Sequence, residues 1–153
     1  RLEISLSSRD GSFKMQKRYY FHSSIWRYYY ENRTDRFRPL GEWALSLINK
    51  IIEDKDIILY SDFILEELKI KYSIEEINKI FDIIKKRNLL IKAQISHSQA
   101  KEAAVITKQR NVSFGDALHT ILARDNNAVM ITRDSHFLEL TDIAEIKKPE
   151  ELI

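Results

Sequence analysis

The chain has 153 residues, a formal net charge of +2 and 31% charged residues, which suits one domain able to bury its own core. It has no cysteine, so zinc–thiolate sites, thiol catalysis and disulfide frameworks are excluded, and a reducing cytoplasm is the expected setting. No apolar run approaches the ~20 residues that a membrane-spanning helix needs, so no membrane partner is expected.

Residues 1–14 are rich in Ser and charge and lack periodicity. They read as an extension or tag, with Met15 as a natural start and residues 15–153 as the domain. Tyr19-Tyr20-Phe21 predicts a short buried strand, since every position prefers β structure. Ser23 and Ser24 offer caps for a helix over 25–31. Basic residues flank this region: Lys14, Lys17 and Arg18 before it, and Arg27, Arg33, Arg36 and Arg38 after it. The second group is interleaved with Tyr28, Tyr29, Tyr30 and Phe37, a mixture suited to gripping phosphates and stacking on bases, although a solvated helix face has the same composition.

Pro39 and Gly41 predict a turn, and residues 42–53 have helical spacing. Ile57 to Tyr60 predicts a second strand, after which Ser61 and Asp62 cap a helix over 63–70. Ser73-Ile74-Glu75-Glu76 has the form of a capping box, opening a helix to about Arg87. Its apolar face of Ile74, Ile77, Ile80, Phe81 and Ile84 suits core packing or a partner. Leu89 to Ile91 is a further short strand. Helices follow over 96–109 and, capped by Ser113, over 114–124. Ala128 to Thr132 is an apolar strand, residues 134–140 form a turn and short helix, and Ile143 to Ile146 is a last strand. Short apolar strands alternating with helices predict an α/β fold, a central parallel sheet of four to five strands with helices on both faces. In such a sheet ligands bind beyond the carboxyl ends of the strands, where strand order reverses.

Four polar residues meet that placement. His22 ends the first strand, Glu67 lies one turn into the helix after the second, Asp116 is in the first turn of the helix capped by Ser113, and Asp134 follows the strand 128–132. Singly, each is an ordinary cap, dipole or turn residue. Their order is more informative. Tyr20-Phe21-His22-Ser23-Ser24-Ile25-Trp26, Ile64-Leu65-Glu66-Glu67-Leu68, Phe114-Gly115-Asp116-Ala117-Leu118-His119 and Ile131-Thr132-Arg133-Asp134-Ser135-His136-Phe137 together resemble the motifs of the PIN-domain family from Met15 to Ile153. The resemblance implies a PIN-like fold and a metal-dependent ribonuclease, with Glu67, Asp116 and Asp134 holding Mg²⁺ or Mn²⁺. Ser24 and Thr132 are expected to hydrogen-bond these carboxylates or a bound water, and Arg27, Arg33 and Arg133 to hold RNA. Many members are toxins of the VapC type, commonly dimers, held inactive by a cognate antitoxin.

The chemistry of the acids agrees with that resemblance. Cleaving a phosphodiester needs an activated water, neutralised phosphate charge and a stabilised leaving oxygen, which hard cations on clustered carboxylates provide. At the first catalytic position, however, the family has an aspartate and this chain has His22. An imidazole is a poor Mg²⁺ ligand and acceptable to Mn²⁺, Zn²⁺ or Ni²⁺. It binds only when neutral, so occupancy is expected to fall below pH ~6.5 for an unperturbed ring. A protonated His22 would instead pair with Asp116 or Asp134 and displace the metal. The expectation is nuclease architecture with impaired activity. His119, one turn past Asp116, could lie near the site but reads first as a hydrogen-bonded core histidine, and His136 as exposed. Two alternatives stay open: an inactive module of the same fold that binds RNA or an antitoxin, and a response-regulator-like or flavodoxin-like domain. The latter calls for an acidic pair at the first strand, where Phe21-His22-Ser23 has none.

Overall fold

The computed structural model describes residues 4–6 and 13–153. Strands β1 (Ile4–Leu6) and β2 (Phe13–Met15) pair antiparallel in a two-stranded sheet of their own, regular structure that the aperiodic sequence there did not predict. The remaining strands, β3 (Arg18–Phe21), β4 (Ile57–Tyr60), β5 (Leu90–Lys92), β6 (Val129–Ile131) and β7 (Ile146–Lys147), form one parallel sheet in the order β5-β4-β3-β6-β7. The α/β expectation holds, with five strands. Successive side chains of a strand point to opposite faces, and Tyr19, Tyr20 and Phe21 are all buried, so both faces of β3 are covered. This double burial explains the continuous apolar runs in the sequence.

Helices α1 (Ser23–Glu31) and α2 (Leu40–Asp54) connect β3 to β4, and α3 (Asp62–Lys69) and α4 (Ile74–Lys85) connect β4 to β5. Next, α5 (His97–Arg110) and α6 (Phe114–Asp125) lead to β6, and a 3-10 turn over Ser135–Leu140 precedes β7. Phe21 stacks on Trp26 of α1, which meets Phe81 of α4. On the other face Tyr20 lies against His119 of α6. Of the apolar face of α4, Ile77, Ile80, Phe81 and Ile84 are buried in this core, whereas Ile74 is exposed.

Several local expectations are corrected. His22, not Ser23 or Ser24, occupies the cap position of α1 and makes no side-chain cap bond. Pro39 and Gly41 do not form a turn; Pro39 caps α2 and Gly41 lies in its first turn. A Cβ on Gly41 would sit 2.5 Å from Asn32 Cα and 2.6 Å from the Tyr28 carbonyl oxygen, so glycine permits α2 to start against the end of α1. The last strand begins at Ile146 and not Ile143, and Pro149 opens a further 3-10 turn. By contrast, Ser61, Ser73 and Ser113 cap α3, α4 and α6 as their motifs predict, each accepting a backbone N–H. Among the described residues no helix is long and apolar enough to cross a membrane.

Candidate metal and nucleic-acid cleft

β3 is the point at which strand order reverses, with β4 on one side and β6 on the other. Beyond the carboxyl ends of these strands lies an open cleft of about 530 Å³, and its lining includes His22, Arg27, Glu67, Asp116, Asp134 and His136. The fold thus brings the four predicted catalytic positions to one concavity, at the location general to open parallel sheets.

Each acid is held by its own element. Ser61 caps α3, and Glu67 follows on that helix with its side chain 27% exposed, whereas the neighbouring Glu66 is exposed and paired with Lys69. Asp116 lies in the first turn of α6, its amide donating to Ser113 Oγ at 3.1 Å. Gly115 makes the approach of α6 to α3 possible, because a Cβ there would lie 2.8 Å from Phe63 Cε2 and 3.7 Å from Glu67 Oε2. Asp134 follows β6; its amide donates to Thr132 Oγ1 at 3.1 Å, and its Oδ1 accepts from the His136 amide at 2.9 Å.

Among the described residues the ligating atoms fall into two trios, each with atoms within 4.8 Å of one another: Asp116, Asp134 and His136, and His22, Glu67 and His119. Burial, with the neighbouring Asp134 charge adding to it, raises the pKa of Asp116 despite the hydrogen bond at Ser113. Such crowded carboxylates favour a bound cation. Burial also opposes ionisation of Glu67, but the hydrogen bond and field of His119 outweigh it and its pKa is lowered. The oxygen donors of Asp116, Asp134 and Glu67 fit a hard divalent ion, while the imidazoles beside them fit later first-row ions better.

His22 is buried, and Ser24 Oγ and Thr132 Oγ1 lie 2.9 and 3.2 Å from its Nδ1. The two hydroxyls predicted to support carboxylates or water therefore hold His22, while Thr132 also fixes Asp134. Burial lowers the His22 pKa to about 4, with the nearby His119 adding to the effect. The proton-driven switch expected near pH 6.5 is displaced accordingly, and at neutral pH the ring carries no charge to pair with Asp116 or Asp134.

Sequence reasoning allowed His119 a place near the site but favoured a core histidine, without identifying its partners. It is fully buried, with Nε2 2.8 Å from Glu67 Oε1 and Nδ1 2.7 Å from the Tyr20 hydroxyl, which is 2.7 Å from Ser61 Oγ. A carboxylate only accepts, so Nε2–H donates to Glu67. The available signal was a polar residue on the helix face one turn from Asp116.

The basic residues divide. Arg27 lines the cleft. Arg33 pairs with Glu31, and Arg133 pairs with Glu150 and covers the Trp43 ring at 5.7 Å; neither lines the cleft. Tyr28, Tyr29 and Tyr30, expected as base-stacking residues, are half-buried against the core, whereas Phe37 is fully exposed.

A five-stranded parallel sheet with acids gathered at its reversal point defines a class of α/β domain, and sequence comparison identifies the family within it. The PIN domain profile matches residues 19–143, and the chain belongs to the PIN-domain family, whose members are generally metal-dependent nucleases. Among solved structures, it is similar to VapBC2 from Rickettsia felis bound to a DNA fragment from their promoter (TM-score 0.63, 18% identity, covering 86% of this chain and 98% of that one). It is also similar to FitAcB from Neisseria gonorrhoeae (TM-score 0.55, 11% identity, 87% and 99% covered). No curated protein matches the sequence significantly.

Proposed function

We propose that this chain is a toxin-type endoribonuclease, cleaving RNA phosphodiesters with Mg²⁺ or Mn²⁺ held by Glu67, Asp116 and Asp134, and impaired by His22. The observation that carries the reading is the convergence of three acids from α3, α6 and the end of β6 with residue 22 on one cleft. The reading extends to a cytoplasmic homodimer restrained by a cognate antitoxin. In support of a partner, the Rickettsia felis neighbour was solved as VapBC2 bound to a DNA fragment from their promoter.

A divalent ion on these carboxylates would supply a more acidic water and neutralise charge on the scissile phosphate. The chain's own groups set the rest. Thr132 and the His136 amide fix Asp134, His119 fixes Glu67, and Arg27, the one Lys or Arg among the described residues that line the cleft, is the group to anchor a phosphate. His22 replaces an anionic oxygen ligand with a neutral ring, so the site loses both negative charge and preference for Mg²⁺.

The test is RNA cleavage with Mg²⁺ and Mn²⁺ by this chain and by His22→Asp. The variant is expected to cleave faster by at least about tenfold, the low end of what even a supporting hydrogen bond to a metal ligand contributes. The larger gain is expected with Mg²⁺. If His22→Asp neither cleaves RNA nor arrests growth, the nuclease reading fails. A second reading, an inactive module that binds RNA or an antitoxin, is favoured by the internal hydrogen bonds that occupy both His22 and Glu67. That module predicts no cleavage with either residue at position 22.

A further inference from the structure

Beside the Asp116, Asp134 and His136 trio lies one with two imidazoles and a single carboxylate. One ring nitrogen each of His22 and His119 and one oxygen of Glu67 lie within 4.8 Å of one another. Tetrahedral ligands ~2.1 Å from a common ion lie ~3.4 Å from one another, so side-chain adjustments of up to about an ångström would close the set.

Both imidazoles have the supporting hydrogen bond that metal-binding histidines have. Such a ring normally has its second nitrogen fixed by an oxygen, which sets the tautomer and aims the first at the ion. Here Nδ1 of His22 lies 2.9 Å from Ser24 Oγ and 3.2 Å from Thr132 Oγ1, and Nδ1 of His119 lies 2.7 Å from the buried Tyr20 hydroxyl. In each ring this leaves Nε2 to bind, and that of His119 already points at Glu67.

The hydroxyl chain behind His119 can serve either state. Without an ion, Ser61 donates to Tyr20, Tyr20 to His119 Nδ1, and Nε2–H to Glu67. With an ion on Nε2, the ring carries its proton on Nδ1 and donates to Tyr20, which donates to Ser61, since either hydroxyl of that 2.7 Å pair can be the donor. The change needs a tautomer shift and two hydroxyl rotations, and each ring nitrogen and hydroxyl oxygen keeps a partner, Ser61 Oγ then accepting from both Tyr20 and the Ile64 amide.

We propose that His22, Glu67 and His119 form a mixed nitrogen–oxygen cation site that selects Zn²⁺ over Mg²⁺. Two neutral imidazoles and one carboxylate match the borderline ions of the first row and suit Mg²⁺ poorly. The site shares Glu67 with the nuclease reading but does not rest on it.

Calorimetric titration of the chelator-stripped full chain with Zn²⁺, and separately with Mg²⁺, tests the assignment. Zn²⁺ is expected to bind more tightly than Mg²⁺. His119→Gln should lower Zn²⁺ affinity by at least about tenfold, while Asp134→Asn should lower Mg²⁺ affinity and leave Zn²⁺ affinity unaltered. Zn²⁺ affinity indifferent to His119→Gln, or lost with Asp134→Asn, overturns the proposal. If His119→Gln does not fold, electron paramagnetic resonance of the unaltered chain with one equivalent of Cu²⁺ decides. Coupling to two imidazole nitrogens supports the site, and one or none overturns it. RNA cleavage is not among these readouts, so the nuclease reading can fail while this site stands.

Discussion

At position 22 an imidazole is enclosed by Ser24, Thr132 and the Phe137 ring, whose centroid is 5.0 Å away. Burial lowers its pKa from 6.5 to about 4, and this has a thermodynamic consequence. In the unfolded chain the ring accepts a proton at pH ~6.5, whereas in the fold it resists protonation until about pH 4. The unfolded state therefore binds more protons throughout that window, and stability falls as pH drops through it, by about 3 kcal/mol when complete. Above pH ~6.5 this contribution is flat. Urea denaturation in the presence of chelator at pH 7, 5.5 and 4.5 should show this loss, and His22→Asn, which cannot titrate, should lack it between pH 6.5 and 5. The carboxylates act lower in the pH range and in opposite senses. Stability from Glu67, whose pKa is lowered, is lost as pH falls through its folded value, while protonation relieves the burial and crowding that raise the pKa of Asp116. Equal slopes for the two proteins above pH 5 would show that His22 is not held neutral by the fold.

At the scale of elements, the contact between α3 and the first turn of α6 determines how near Glu67 comes to Asp116. Gly115 sets that contact. A methyl group there would lie 2.8 Å from Phe63 Cε2, and the Phe63 ring has little room to retreat because it meets Phe114 and His119 at 6.0 and 5.3 Å. Gly115→Ala is therefore expected to cost about 1–3 kcal/mol, the usual range for overpacking, despite the better helix propensity of Ala. Trimming Phe63 to Leu in the same chain should recover part of the loss. A more stable Gly115→Ala protein by urea denaturation would show that α3 yields freely. The same elements show what the sequence made legible. Strands buried on both faces appear as apolar runs, and Ser61, Ser73 and Ser113 mark helix starts by local hydrogen bonds that a short motif can encode. Asp116 and Asp134 were readable because one opens a helix and the other follows a strand, and Glu67 because its helix follows β4. His119 was only half readable, because its partners Tyr20 and Glu67 are 99 and 52 residues away and long-range pairing leaves no local pattern. Gly41 was misread for a similar reason, since its need for glycine comes from α1, a different helix.

Across the whole molecule, the parallel sheet carries residues remote in sequence to the cleft at β3, so the proposed ion site exists only in the folded chain. An ion that binds the native state and not the unfolded one stabilises it by mass action, by ~2.7 kcal/mol at a hundredfold excess over Kd. For a domain of this size that corresponds to a rise in Tm of roughly 5–10 °C. Mn²⁺ is expected to produce such a rise in this chain, reversed by chelator. Asp116 then separates ion binding from packing. Its charge is disfavoured by burial first and by Asp134 second, so Asp116→Asn removes a repulsion in the metal-free protein while deleting a ligand. The variant should melt no lower than the parent without metal, and possess little of its Mn²⁺-dependent rise. A variant that unfolds earlier without metal would mean that Asp116 acts mainly in the first turn of α6, where a carboxylate favours the helix dipole. A full Mn²⁺ shift in Asp116→Asn would mean that the ion binds without this carboxylate, and the proposed metal site would have to be reassigned.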